Sequence, residues 1–165
     1  MPSQRSPKVN PPSQSELETA FRAELELRNR DGLRLVTLVG GSALLLFGLL
    51  DRTLLDSVGL SHLLPSFLQI RVIVVLGQLI LYAATFSPRF QRQASRLSVA
   101  SLVMVGAGIA AMVQLLGGYD STYYAGLNLV LLAAVFFTLR TKLLLVACGA
   151  IYAFYLLPSL WLHFD

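Results

Sequence analysis

Five runs of predominantly apolar residues, at about 33–50, 70–86, 97–116, 123–139 and 143–162, divide this 165-residue chain and restrict its fold more than any other feature. A helix needs about 20 such residues to cross about 30 Å of hydrocarbon. In lipid, backbone amides and carbonyls must be satisfied within their own segment or within a closed barrel. The runs show no period-two alternation, which leaves helices as the economical solution. The hydrophobic fraction is 55%, only 13% of residues are charged, and the mean hydropathy is +0.66. The expected fold is an all-α integral membrane protein, a polytopic bundle with five spans visible.

The charges are unevenly spread. The first 34 residues hold six Lys or Arg and five acids, and the remaining 131 hold seven and four. Arg5, Lys8, Arg22, Arg28, Arg30 and Arg34 precede or open the first run. Arg89, Arg92 and Arg96 follow the second, and Arg140 and Lys142 follow the fourth. These three segments share one side if all five runs span, and they carry 11 of the 13 basic residues. The positive-inside rule then places the N-terminus in the cytoplasm of a multi-pass inner-membrane protein, and 51–69, the turn at 117–122 and Asp165 outside. The basic residues form no continuous stripe, which argues against a nucleic-acid partner.

Residues 1–14 carry Pro2, Pro7, Pro11 and Pro12 among polar residues and read as a disordered cytoplasmic tail. Ser15-Glu16-Leu17-Glu18 fits a capping box. Leu17, Phe21 and Leu25 then recur every four residues, which predicts a cytoplasmic amphipathic helix within 15–32. It reads as a juxtamembrane helix or as a dimer or coupling helix, with Asp31-Gly32 as the break before the bundle at 33–165. Gly106 with Ala110, Ala107 with Ala111, and Gly149 with Ala153 are small-xxx-small pairs, so the third and fifth spans are expected to be inner helices. Pro158 is expected to kink the fifth.

Enzyme chemistry finds little support. His62 and His163 lack neighbouring ligands, so no metal site is expected. Cys148 is the only cysteine and lies in an apolar run. Gly106-x-Gly108-x-x-Ala111 has glycine spacing like a dinucleotide fingerprint but lies mid-span, with no strand before it. No catalytic constellation or cofactor is expected in this chain.

The stretch Gly117-Gly118-Tyr119-Asp120-Ser121-Thr122-Tyr123-Tyr124-Ala125-Gly126-Leu127-Asn128 is a polar and aromatic island between apolar runs. On a helix starting at Asp120, Asp120, Tyr124 and Asn128 form one stripe descending about 12 Å from the surface. The tyrosines read as an interfacial aromatic belt with Asn128 bridging two helices. Alternatively, Asp120, Tyr123, Tyr124, Asn128 and Gln114 line a small-molecule or lipid-signal site opening outward. Asp51 and Arg71, each near the outer end of a span, are either solvated there or joined in an ion pair between the first two helices.

Gly117-Gly118 followed by Tyr123-Tyr124-Ala125-Gly126-Leu127-Asn128 resembles the membrane-embedded input region of bacterial sensor histidine kinases and class III nucleotide cyclases. The likeness extends more loosely over 21–162: a Glu/Arg-rich helix, an Asp closing the first span, an Arg opening the second, and a basic loop before the third. Thr122 stands where that group often has proline. The resemblance implies a six-span sensory module of a two-component or cyclase system. It also implies a homodimer, a kinase or cyclase domain after the last span, and a chain here that stops before the sixth.

Overall fold

The computed structural model describes residues 13–118, 125–134 and 137–163. α1 runs unbroken over Gln14–Ser57, and its start is fixed chemically. Ser13 lies in extended backbone and its hydroxyl accepts the Glu16 amide, while the Glu16 carboxylate accepts the Ser13 N–H at 2.8 Å. The capping box is therefore Ser13 to Glu16, two residues earlier than the expected Ser15 to Glu18. Hydrogen bonds from the Ser13 backbone and hydroxyl hold the exposed Glu16 carboxyl below its usual range.

The expected break at Asp31-Gly32 does not occur. Glycine in a helix interior costs only about 1 kcal/mol. Here Asp31 is drawn to Arg30 at 3.3 Å and to Arg34 one turn on at 4.0 Å, and the helix continues through Gly32. α1 thus combines the juxtamembrane helix, the first apolar run and the seven residues after it in one rod about 65 Å long.

Gly59, at φ 71°, turns the chain after α1. A one-turn 3-10 helix at Ser61–Leu63 leads into α2, Leu64–Ala84, which carries a proline in its first turn where the missing amide costs nothing. A short α3, Pro88–Gln91, precedes α4, Ala94–Leu115. α4 ends where Gly117 and Gly118 adopt φ of 93° and 64°, left-handed values that favour glycine. α5 is described over Ala125–Ala133, and α6 over Thr141–His163, running through Pro158.

The described residues contain no strand. Four helices are long and apolar enough to cross a membrane: α1, α2 with its preceding turn, α4, and α6 to Pro158. The fourth apolar run is not among them: the described helix is nine residues, about 13 Å, and the backbone over 138–140 is irregular.

Side-chain contacts fix the helix directions. Asp51 meets Arg71, and Arg34 meets Thr85, so α1 and α2 are antiparallel. Gln78 meets Ser101 while Gly108 faces Val74, so α4 runs against α2. Gly106 lies on Ile151 and Gln114 bonds Tyr155, so α4 and α6 are parallel. Between them the chain returns, because Gly126 abuts Ile109 and Thr138 meets Asn29. Among the described helices, α1, α2 and α4 thus alternate in direction, and α6 runs parallel to α4.

α4 is the central helix, touching α1, α2, α5 and α6, with 50% of its apolar stretch buried. Cβ atoms at Gly106 and Gly108 would come within 2.6 Å of Ile151 and Val74, so these glycines permit the close approach expected of an inner helix. The fifth apolar run departs from expectation. Only 11% of the corresponding stretch of α6 is buried, and a Cβ at Gly149 would meet nothing within 4 Å. α6 docks through Ala147 and Ile151, leaving Gly149 on a different face.

Around an apolar core, burial departs from that of a protein folded in water. Leu46, Leu49, Ile73, Ile80 and Leu145 are exposed, whereas Asn29, Thr37, Asp51, Arg71, Gln78, Ser98 and Ser101 are buried. An apolar belt around polar internal contacts is compatible with a membrane location.

Candidate functional site

α1 carries its buried residues at Asn29, Leu33, Thr37, Gly41, Leu44, Asp51 and Leu55, spacings of three, four and seven that form one face. Three polar groups of contacts are strung along this face and its neighbours, one near each end of the bundle and one between.

At the basic end, Asn29 is fully buried and holds two other elements. Its Nδ2 donates to Ser95 Oγ on α4 at 2.9 Å and to the Thr138 carbonyl at 3.3 Å, and its Oδ1 accepts the Thr138 N–H at 2.8 Å. One turn earlier on α1, Glu26 accepts the Ser95 N–H at 2.9 Å and the Ser95 hydroxyl at 2.7 Å. Glu26 thus caps the first turn of α4 from another helix, an arrangement favoured by the positive end of the helix dipole. Nearby, Arg34 Nε donates to Thr85 Oγ1 at 2.9 Å, and its guanidinium lies 4.5 Å from the Phe86 ring centre.

Midway along the bundle, Gln78 on α2 and Ser101 on α4 exchange two bonds. Ser101 Oγ donates to Gln78 Oε1 at 2.8 Å, and Gln78 Nε2 donates to the Ser101 carbonyl at 3.3 Å.

At the opposite end, Arg71 on α2 is 4% exposed and Asp51 on α1 is 2% exposed. Arg71 Nη2 donates to Asp51 Oδ1 at 2.7 Å, Nε reaches Oδ2, and Nη1 donates to the Leu44 carbonyl at 2.9 Å. Separate solvation of the two charges is excluded: they form a buried bidentate pair. Gly48 makes room for it, since a Cβ there would lie 3.3 Å from Arg71 Cδ. No buried side-chain nitrogen or oxygen among the described residues lacks a hydrogen-bond partner.

No protein-family model, curated protein or solved structure matches this chain.

Of the expected outward site, only Gln114 and Asn128 fall within the described residues. Asp120, Tyr123 and Tyr124 lie outside the described residues. Gln114 donates from Nε2 to the Tyr155 carbonyl at 2.8 Å, which ties α4 to α6. Asn128 is exposed on α5, contrary to the expectation of a buried bridging amide. Among the described residues there is no group of three or more His, Cys, Asp or Glu side chains able to hold a metal.

The sequence reading overlooked Glu26, Asn29, Ser95, Ser101 and Thr138. A signal was present. Asn29 falls one turn before Leu33 and two before Thr37, on the same helical face as Asp51, so a polar stripe at helical spacing within a leucine-rich rod marked the inward side.

Proposed function

We propose that this chain is the membrane-embedded input module of a bacterial signal-transduction protein, of the sensor-histidine-kinase kind, with no catalytic step within its own 165 residues. The observation that carries the reading is the continuity of α1. The buried Asp51–Arg71 pair at one end and the projecting N-terminal turns at the other share an unbroken helix, about 55 Å from Asp51 to Gln14. A rearrangement around Asp51 therefore moves the N-terminal turns as part of one rigid element. The resemblance carried by the Gly-Gly and Tyr-Tyr-Ala-Gly-Leu-Asn motif in the sequence supports the assignment.

In this reading five segments cross the inner membrane with the basic end in the cytoplasm, as the positive-inside rule requires. An external or lipid-borne signal engages the turn around Asp120, Tyr123, Tyr124 and Asn128 and shifts the bundle between two packings. The ligand's differential affinity for the two packings sets the extent of the shift. A homodimer transmits the change to a kinase domain. The test is effector output in the signalling protein that carries the module. Alanine at Asp120, Tyr124 and Asn128 should abolish the response to signal while leaving membrane insertion intact, whereas unchanged output would remove the sensing role.

The exposure of Asn128 and the attachment of Gln114 to α6 favour a second reading, in which the bundle is an anchor or assembly module. An unrelated bundle with the same number of spans should then replace 33–163 without loss of output. Input to a nucleotide cyclase, the other effector in the resemblance, is distinguished by the reaction product.

A further inference from the structure

We propose that the groove between the projecting part of α1 and the turn joining α3 to α4 is a binding site for the phosphate of an anionic membrane phospholipid. The groove is lined by Arg22, Ala23, Glu26, Leu27, Arg30 and Arg92 and encloses about 280 Å³, enough for a headgroup but too small for a whole lipid.

Its lining carries three arginines and one acid. Glu26, the one acid in the lining, spends both carboxylate oxygens on Ser95. Arg92 makes no ion pair among the described residues. Arg22 and Arg30 are drawn to Glu18 at 3.7 Å and Asp31 at 3.3 Å, acids that are 74% and 65% exposed. Such exposed pairs are weak and leave further guanidinium donors available. Three guanidinium groups beside a single carboxylate whose oxygens are already engaged suit a phosphodiester, which a guanidinium can bind in bidentate fashion. Ala23 and the half-exposed Leu27 supply an apolar wall for the glycerol and upper acyl carbons.

The depth also fits. Arg34 bonds Thr85, the residue that closes α2, and so marks the edge of the apolar layer. Arg30 and Leu27 lie about 6 and 10 Å beyond Arg34 along α1, within or close to the headgroup layer. Arg22 lies about 18 Å beyond Arg34, its guanidinium directed toward Glu18, and lines the outer end of the groove. A lipid seated here joins α1 to the α3–α4 turn and fixes the angle at which the N-terminal turns project.

The inference rests on the membrane location proposed above and goes beyond it by naming a ligand class and its residues. The test uses the whole chain in neutral detergent, titrated with dioleoyl-phosphatidylglycerol, dioleoyl-phosphatidylcholine or inorganic phosphate, with bound lipid read by native mass spectrometry. Phosphatidylglycerol should bind in preference to phosphatidylcholine and resist displacement by millimolar phosphate. Arg92→Gln should weaken it about fivefold, and Arg22→Gln with Arg92→Gln about 25-fold, from the typical effect of one basic residue near an anionic lipid. Arg140→Gln with Lys142→Gln, at the same end but outside the groove, should leave binding unchanged. Unaltered melting temperatures would show that the variants remain folded. If the 140/142 variant lost as much binding as the groove variant, or the two lipids bound alike, the site would be refuted. Displacement by phosphate alone would overturn the lipid as its source. Alkaline-carbonate extraction of the chain from membranes would instead indict the membrane location.

Discussion

Arg71 reaches from α2 across Gly48 to grip both carboxylate oxygens of Asp51 on α1, and spends a third donor on the Leu44 carbonyl. Removing one member leaves an uncompensated buried charge, which costs about 3–5 kcal/mol, whereas removing both leaves mainly a packing deficit. Arg71→Ala should therefore lower thermal stability in detergent more than Asp51→Leu combined with Arg71→Met does. Arg71→Lys, which cannot reproduce the fork, should also destabilise. Equal melting temperatures for wild type and Arg71→Lys would count against a buried bidentate pair.

Gly106 and Gly149 carry the same sequence signal and opposite structural consequences. Gly106→Val must push into Ile151, an overpacking cost of about 1–3 kcal/mol, while Gly149→Ala enters open space and should change stability by less than about 0.5 kcal/mol. Thermal unfolding of the two variants side by side distinguishes this packing from one with α6 inside. Equal sensitivity would indicate that both faces are packed.

Asn29→Ala leaves the Thr138 amide and carbonyl and the Ser95 hydroxyl without the partner that now joins them. The expected loss is about 2–4 kcal/mol, together with faster hydrogen exchange at the Thr138 amide. Asn29→Asp keeps the acceptor for Thr138 N–H but loses the donor, and should retain part of the protection. Unchanged exchange in the alanine variant would show that 138 is held in another way.

At the N-terminus, Glu16 has a folded-state pKa lowered from the ordinary 4.5, so its contribution to the cap is present above that value and is lost as pH falls through the lowered one. NMR amide shifts of Ser13 and Glu16 in micelles should move together in that acid window. Ser13→Ala, which removes the hydroxyl but keeps the backbone donor, should reduce the effect, and Glu16→Gln should abolish it. A Glu16 titration centred above 4.5 would contradict the cap.

The helical class was legible because long apolar runs without period-two alternation leave few other backbone solutions. α4's central position was legible at Gly106, where two helices require a residue without a side chain. The same rule misplaced α6, because Gly149 repeats the pattern with no neighbour facing it, and pattern alone does not report orientation. The Asp31-Gly32 break was misread because a local cost of about 1 kcal/mol is easily offset within a long helix. Asp51 and Arg71 lay 20 residues apart with no local sign of contact; their pairing follows from the antiparallel packing of α1 on α2. Asn29 was overlooked because its partners, Ser95 and Thr138, lie 66 and 109 residues further along the chain and meet it only through the packing of the helices.

The most direct test of the account is labelling of single-cysteine variants, in a Cys148→Ser background, with a membrane-impermeant maleimide on intact bacterial cells. Cysteine replaces Ser57, at the end of α1 beyond the buried ion pair, or Arg89, on α3 at the basic end; both positions are exposed. The account predicts that Ser57→Cys is labelled on intact cells and that Arg89→Cys is labelled only after permeabilisation. Equal labelling of both on intact cells, or the reverse order, would contradict a membrane-spanning bundle with its basic end in the cytoplasm.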